Sequence, residues 1–282
     1  MKAKLLTNTK KTCVLIFLLL LLVHAIEAIV LRMDETVFAE NFINKVFGII
    51  VMAIVLKMLD WGWNDIGFSR KGPGKGILTG FSLAVVSFLI AFLAEIFILM
   101  KQGNHIRIGF FVTGFSLTGD TVINNGIGFI LMCIFFNIIN VIMEEGIFRG
   151  LFYGILRTDH SMKISILIQA LFFGLWHVVT PLHNLIDGDM NYASFAGMSI
   201  GYIILAGLMG IKWGLLYRMT GNLYVGMTDH FCNNCIATNL LHVVTDNGID
   251  ELMIVRVLIA QMLSFFIVFV LWKKKRNDGA KS

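Results

Sequence analysis

A chain of 282 residues that is 57% hydrophobic and 15% charged, with a mean hydropathy of +0.80, carries more apolar surface than one soluble core of that length can bury. Two prolines, 24 phenylalanines and no sustained period-two alternation exclude a membrane β-barrel. The net charge of +5 lies in short clusters beside apolar runs, which reads as membrane topology and excludes a nucleic-acid footprint.

These features predict an all-α, polytopic membrane helix bundle forming a single domain over residues 1–282, in contact with a lipid bilayer and with no nucleic-acid partner. Eight stretches approach the ~20 apolar residues that a membrane helix needs. They are Thr12–Leu31, Phe42–Leu59, Gly76–Met100, Ile127–Arg157, Ile164–Thr180, Tyr192–Tyr217, Asn222–Leu241 and Leu252–Trp272. The second is the shortest in effect, with Lys45 and Lys57 near its ends. The first also resembles a signal peptide, with a basic start, an apolar run from Cys13 to Val23 and a Val23-His24-Ala25 site, but its apolar run continues past that site toward a full span.

Basic residues follow the even-numbered stretches: Arg70, Lys71 and Lys75; Arg157 and Lys163; Lys212 and Arg218; Lys273 to Arg276. The opposite segments hold Asp34, Glu35 and Glu40, then Asp187 and Asp189, then Asp246, Asp250 and Glu251, with Lys101 and Arg107 as exceptions. Positive charge collects on the cytoplasmic side, so both termini are expected there in a multi-pass protein of the cell membrane. Four cysteines fall within apolar stretches and read as packed free thiols; Cys232-x-x-Cys235 lacks the second pair that a four-ligand metal site needs.

Ionisable groups inside a bilayer are costly and rare, so each is a functional candidate. The fourth stretch holds Glu144, Glu145 and Arg149, the fifth His177, and the seventh Asp229, His230, Asn233 and Asn234. At a rise of about 1.5 Å per residue, Glu144, His177 and His230 each lie roughly 20 Å from the basic end of their helix, provided the fourth helix continues to Arg157. Glu145 and Arg149 have the i, i+4 order of an ion pair, while Glu144 is turned about 100° away and is free for another partner. Glu144 and His177 can hold and deprotonate a water for attack on a peptide carbonyl. His230 and Asn234, one turn apart, can donate to the resulting oxyanion. Equally, Glu144, His177 and His230 have the ligand types of a catalytic metal site, such as zinc with an open position for water. Both readings stay open. Asp229 and Asn233 rank behind His230 and Asn234, and His24, Glu27 and Glu95 are expected near interfaces or as local helix partners.

Glu144-Glu145-Gly146-Ile147-Phe148-Arg149-Gly150, Phe173-Gly174-Leu175-Trp176-His177 and His230-Phe231-Cys232-Asn233-Asn234 together resemble the CPBP family of membrane proteases, which includes CAAX prenyl endopeptidases and relatives linked to bacteriocin self-immunity. The resemblance covers residues 127–241, expected to be the catalytic core, with Ile66-Gly67-Phe68 a weaker upstream match. It implies an intramembrane endopeptidase acting on membrane-associated peptides or proteins. Glu144 and His177 would activate water, His230 and Asn234 would stabilise the oxyanion, and Glu145, Arg149 and Phe173 would support them. The cavity is expected to open toward the cytoplasm or sideways to lipid. The alternatives are a non-catalytic immunity or scaffold protein, and a transporter, which the lack of paired inverted halves disfavours.

Overall fold

The computed structural model describes residues 2–33, 42–113 and 123–279, so the acidic residues Asp34, Glu35 and Glu40 lie outside the described residues. A short α1 (Lys2–Leu6) leads into α2 (Thr9–Ala25), whose last turns widen into a π-helical segment, Ile26–Val30. Then come α3 (Ile43–Leu59), a 3-10 turn (Trp63–Ile66) and α4 (Pro73–Lys101). The helix α5 (Ile127–Glu144) runs without a break through a second π segment, Glu145–Phe152, into α6 (Tyr153–Leu156). After it come α7 (Met162–Trp176), α8 (Val179–Ile186), α9 (Tyr192–Thr220) and α10 (Tyr224–Phe231) with a third π segment, Cys232–Ile236; the long α11 (Met253–Gly279) ends the fold. A two-stranded antiparallel ribbon pairs β1 (Arg107–Phe110) with β2 (Leu241–Val244), Arg107 opposite Val244.

All eight apolar stretches contain helix, and six of them make helices long and apolar enough to cross a membrane: Thr9–Val30, Pro73–Lys101, Ile127–Leu156, Met162–Ile186, Tyr192–Thr220 and Met253–Asn277. The other two are shorter than a straight crossing. Ile43–Leu59 has 17 residues, and after Tyr224 the chain leaves helical geometry beyond Ile236 and turns into the ribbon. Outward faces are rich in exposed Leu, Ile, Val and Phe, as lipid-facing surfaces are, while Phe148, Phe152, Phe173, Trp176 and Trp213 pack the interior.

Close approach of these helices depends on a few missing Cβ atoms. A Cβ at Gly80 in α4 would stand 2.3 Å from the Val225 carbonyl oxygen, so this glycine lets α4 lie directly on α10. Gly67 has φ +97°, and its carbonyl accepts from Leu223 N–H, so the Ile66-Gly67-Phe68 turn is a backbone link to the start of α10. The turn also touches the first motif, because a Cβ at Gly150 would meet the Ile66 carbonyl at 2.8 Å.

Two basic residues assigned to helix ends are not topological charges. Lys212 is fully buried and ion-paired with Asp229 at 2.5 Å, eight residues inside the end of α9; Arg218 alone stands exposed at that end. Lys45 is likewise buried, whereas Lys57 is exposed. Hydrocarbon leaves a lysine with no water to bind, so a carboxylate within reach takes it inward.

Candidate active site

Three π-helical segments, at Ile26–Val30, Glu145–Phe152 and Cys232–Ile236, sit beside or within the predicted polar positions. An inserted residue in a helix redirects the side chains after it, and such segments cluster at functional sites. The continuous helix from Ile127 to Leu156 satisfies the condition on which the equal-depth estimate rested. Glu144, His177, His230 and Asn234 line one cavity of about 270 Å³, together with His24, Lys45 and Trp176. Met253 and Ile254, the first residues of α11, also line it, so the cavity extends toward the end of the bundle opposite the basic C-terminal end of α11.

Glu144 is not free. Its Oε1 accepts from Lys45 Nζ at 2.5 Å and from Trp176 Nε1 at 3.2 Å. The Lys45 ammonium also lies 4.9 Å from the Trp176 ring, and His24 stacks on that indole at 4.3 Å. This wall was only partly legible in the sequence, because the helix that carries Lys45, α3, holds no acidic residue to pair with it. What places it is Glu27, whose carboxylate accepts from the backbone N–H of Ile43 at 2.9 Å and of Asn44 at 2.5 Å. That capping by a negative charge anchors the N-terminus of α3 against the first span. The one warning in the sequence is an excess acid: Glu145 has Arg149, so Glu144 requires a cation from elsewhere.

Glu145 pairs with Arg149, as the spacing predicts, at 3.3 Å between Oε2 and Nε, an ion contact without hydrogen-bond alignment. The guanidinium instead lies 3.9 Å from the Phe173 ring and 4.9 Å from Trp213, which gives Phe173 its supporting position. The other oxygen, Oε1, faces His230 Nδ1 at 3.0 Å, and the His230 ring stacks on Trp213 at 4.1 Å. A carboxylate accepts, so Nδ1 carries the proton and Nε2 turns to the cavity, 3.5 Å from Glu144 Oε2 and 3.2 Å from Asn234 Nδ2. His177 has the same polarity: Nδ1–H donates to the Phe173 carbonyl at 2.8 Å, leaving Nε2 as an available base.

The orientation of the Asn234 amide follows from a chain of hydrogen bonds with one unambiguous end. The Lys212 ammonium donates to Gln261 Oε1 at 2.6 Å, which forces Gln261 Nε2 onto Asn233 Oδ1 at 2.9 Å. Asn233 Nδ2 then donates to Asn234 Oδ1 at 2.7 Å, so Asn234 must present its NH2 to His230. Lys212 is itself fixed by Asp229 and by Ser264 Oγ at 2.9 Å, and Asp229 also accepts from Trp213 Nε1 at 2.7 Å. Asp229 and Asn233 therefore brace the site from behind, while His230 and Asn234 face the cavity.

The metal reading of Glu144, His177 and His230 meets no preformed site. Among the described residues no group of three His, Cys, Asp or Glu side chains is arranged to hold one. Of the two Glu144 oxygens, Oε1 is engaged by the Lys45 ammonium, and Oε2 faces the cavity. The four cysteines are free and buried.

Residues 126–236 match the family model described as type II CAAX prenyl endopeptidase Rce1-like. No curated protein and no solved structure matches the chain.

Proposed function

From the membership of residues 126–236 in the CPBP/CAAX intramembrane protease family, we propose that this protein is an endopeptidase that cuts membrane-associated peptides or proteins by a water activated between Glu144 and His177. The observation that carries the reading is the convergence of Glu144, His177, His230 and Asn234 on one cavity inside a bundle of apolar helices.

Water bound between Glu144 Oε2 and His177 Nε2 gives its proton to the carboxylate as its oxygen attacks the carbonyl carbon. Negative charge then develops on the carbonyl oxygen. Asn234 Nδ2–H donates to it beside His230, whose ring Glu145 fixes through Nδ1 so that His230 and Asn234 together face the oxyanion. Collapse of the tetrahedral intermediate breaks the C–N bond, and the proton held by Glu144 passes to the leaving amine. Lys45 keeps Glu144 ionised and aimed, and Arg149 holds Glu145. No step is routed through a metal. Both termini lie on the cytoplasmic side of the cell membrane in this reading, which places the cavity toward the far face.

The test compares peptide termini in membranes and medium from cells making the wild type, Glu144→Ala or His177→Ala at matched protein levels. Termini that arise only with the wild type identify a protease and its substrate. Identical termini, with a host phenotype such as bacteriocin resistance kept by both variants, would replace the catalytic reading with the immunity or scaffold one.

A further inference from the structure

A second cavity, of about 230 Å³, lies at the opposite end of the bundle, where the basic ends of the helices gather. Its lining is Met162 from the start of α7, Arg218 and Met219 from the end of α9, and Trp272, Lys275 and Arg276 from α11. Three cations surround one space. Among the described residues no carboxylate pairs with Arg218, Lys275 or Arg276, although most other buried or clustered charges in the molecule have found an opposite partner. Lys275 Nζ instead donates to the Met219 carbonyl at 2.5 Å, which ties α11 to the C-terminal end of α9 and holds the ammonium at the cavity. The Arg276 guanidinium lies 5.5 Å from the Trp272 ring, so the aromatic face sets its position.

The rest of the wall, Met162, Met219 and Trp272, is apolar, and Val270 and Leu271 just before Trp272 on α11 are exposed. A tryptophan beside lysine and arginine, one turn past a run of hydrocarbon-facing residues, marks headgroup depth. An occupant must therefore bring an anion and an apolar body together at that depth, which a free phosphate does not.

We propose that this cavity binds an anionic phospholipid, with the phosphodiester between Arg218, Lys275 and Arg276 and the upper acyl chain against Met162, Met219 and Trp272. The lipid joins the ends of α7, α9 and α11. The site is independent of the peptidase assignment, since none of its residues touches the catalytic cavity.

The experiment is native mass spectrometry of the full-length protein released from neutral detergent, titrated with phosphatidylglycerol, phosphatidylcholine or inorganic phosphate. At about 1 kcal/mol per basic residue near an anionic lipid, each lost charge corresponds to about a fivefold weakening. One phosphatidylglycerol should be retained at the lowest ratios, and Arg218→Gln, Lys275→Gln and Arg276→Gln should each weaken it about fivefold. Arg276→Lys and the distant Lys71→Gln should keep it. Equal retention of phosphatidylcholine would reduce the cavity to ordinary lipid contact, and displacement by millimolar phosphate would make it a free-anion site; either result overturns the proposal. So would unchanged retention in the three single variants, each of which changes one surface residue and leaves the packed core intact.

Discussion

Of the carboxylate–cation pairs sealed inside this bundle, Glu144–Lys45 and Glu95–Arg256 differ most in what lies next to them. Glu144 and Lys45 border a cavity, and one oxygen of the carboxylate looks into it. Glu95 and Arg256 meet at 2.7 Å with both side chains fully buried, and the cluster continues through Asp250 to His242, whose ring nitrogens face Asp250 and the Phe111 carbonyl. Neither of the two cavities described above is lined by Glu95 or Arg256. Arg256 also donates to the Ala237 carbonyl and stacks over Phe92, so the second cluster staples α4, the end of the site-bearing α10 segment and α11 together. A buried charge in a membrane protein is thus not a catalytic signal by itself. The charge that borders empty space can meet a substrate, and the one that is closed on every side can only hold helices.

The largest effects should separate the two clusters. His177→Ala should lower peptide hydrolysis by about a thousandfold, as expected when one of the two groups that hold and activate the water is lost, with little change in thermal unfolding because the ring is partly exposed to the cavity. Glu144→Gln should lose activity to the same extent but also stability, because it strands the Lys45 ammonium; Glu144→Gln combined with Lys45→Met should recover the stability and not the activity. Arg256→Met should do the opposite, costing about 3–5 kcal/mol of stability by leaving Glu95 unpaired while turnover of the folded fraction stays within about twofold. Loss of turnover in Arg256→Met at a temperature where it is folded would break the distinction.

The next effect sharpens the picture of the cavity wall. In Gln261→Glu, a carboxylate accepts from both Lys212 and Asn233, so Asn233 must turn over and present its oxygen to Asn234. Asn234 then donates backward and shows His230 and the cavity a carbonyl oxygen. An oxyanion would meet an acceptor where it needs a donor, and activity should fall about a hundredfold, as for loss of one such donor. Gln261→Leu removes the constraint without inverting it and should fall less. Equal losses in the two variants would mean that Gln261 acts only by packing.

How much of this was legible in the sequence follows from the range of each interaction. The helices, the Glu145–Arg149 pair and the shared depth of Glu144, His177 and His230 all come from hydropathy and helical rise along single segments, and the structure brings those residues into one cavity. What was not legible joins segments far apart in the chain. Lys45 reaches Glu144 across 99 residues, Arg256 reaches Glu95 across 161, and Gln261 reaches Asn233 across 28. Lys212 shows the cost of local reading most directly: its position near the end of an apolar run looked like a cytoplasmic flank, but the partner that draws it inward, Asp229, is on the following helix. Charge counting within the membrane would have helped, since Glu144, Asp229 and Glu95 each lack a cation on their own helix face and each takes one from another helix.

The smallest effect concerns the closed cluster and pH. Burial pushes the Asp250 carboxyl up, but the hydrogen bonds from His242 and Arg256, with the Arg256 charge and the Val243 N–H, outweigh it and hold the carboxyl below the ordinary carboxylate range. A group whose folded value is depressed contributes stability that is complete above its unfolded value, about 3.9 for aspartate, and loses it as pH falls through the lower folded value. Thermal unfolding of the wild type should therefore be nearly flat in this contribution from pH 7 to about pH 5 and decline below about pH 4. Asp250→Asn should start lower at pH 7, because an amide cannot accept from His242, Arg256 and Val243 N–H with equal strength, and should decline less on acidification. Parallel curves for the two proteins would mean that acid opens the molecule elsewhere, and the cluster that closes on itself would then add no acid sensitivity of its own.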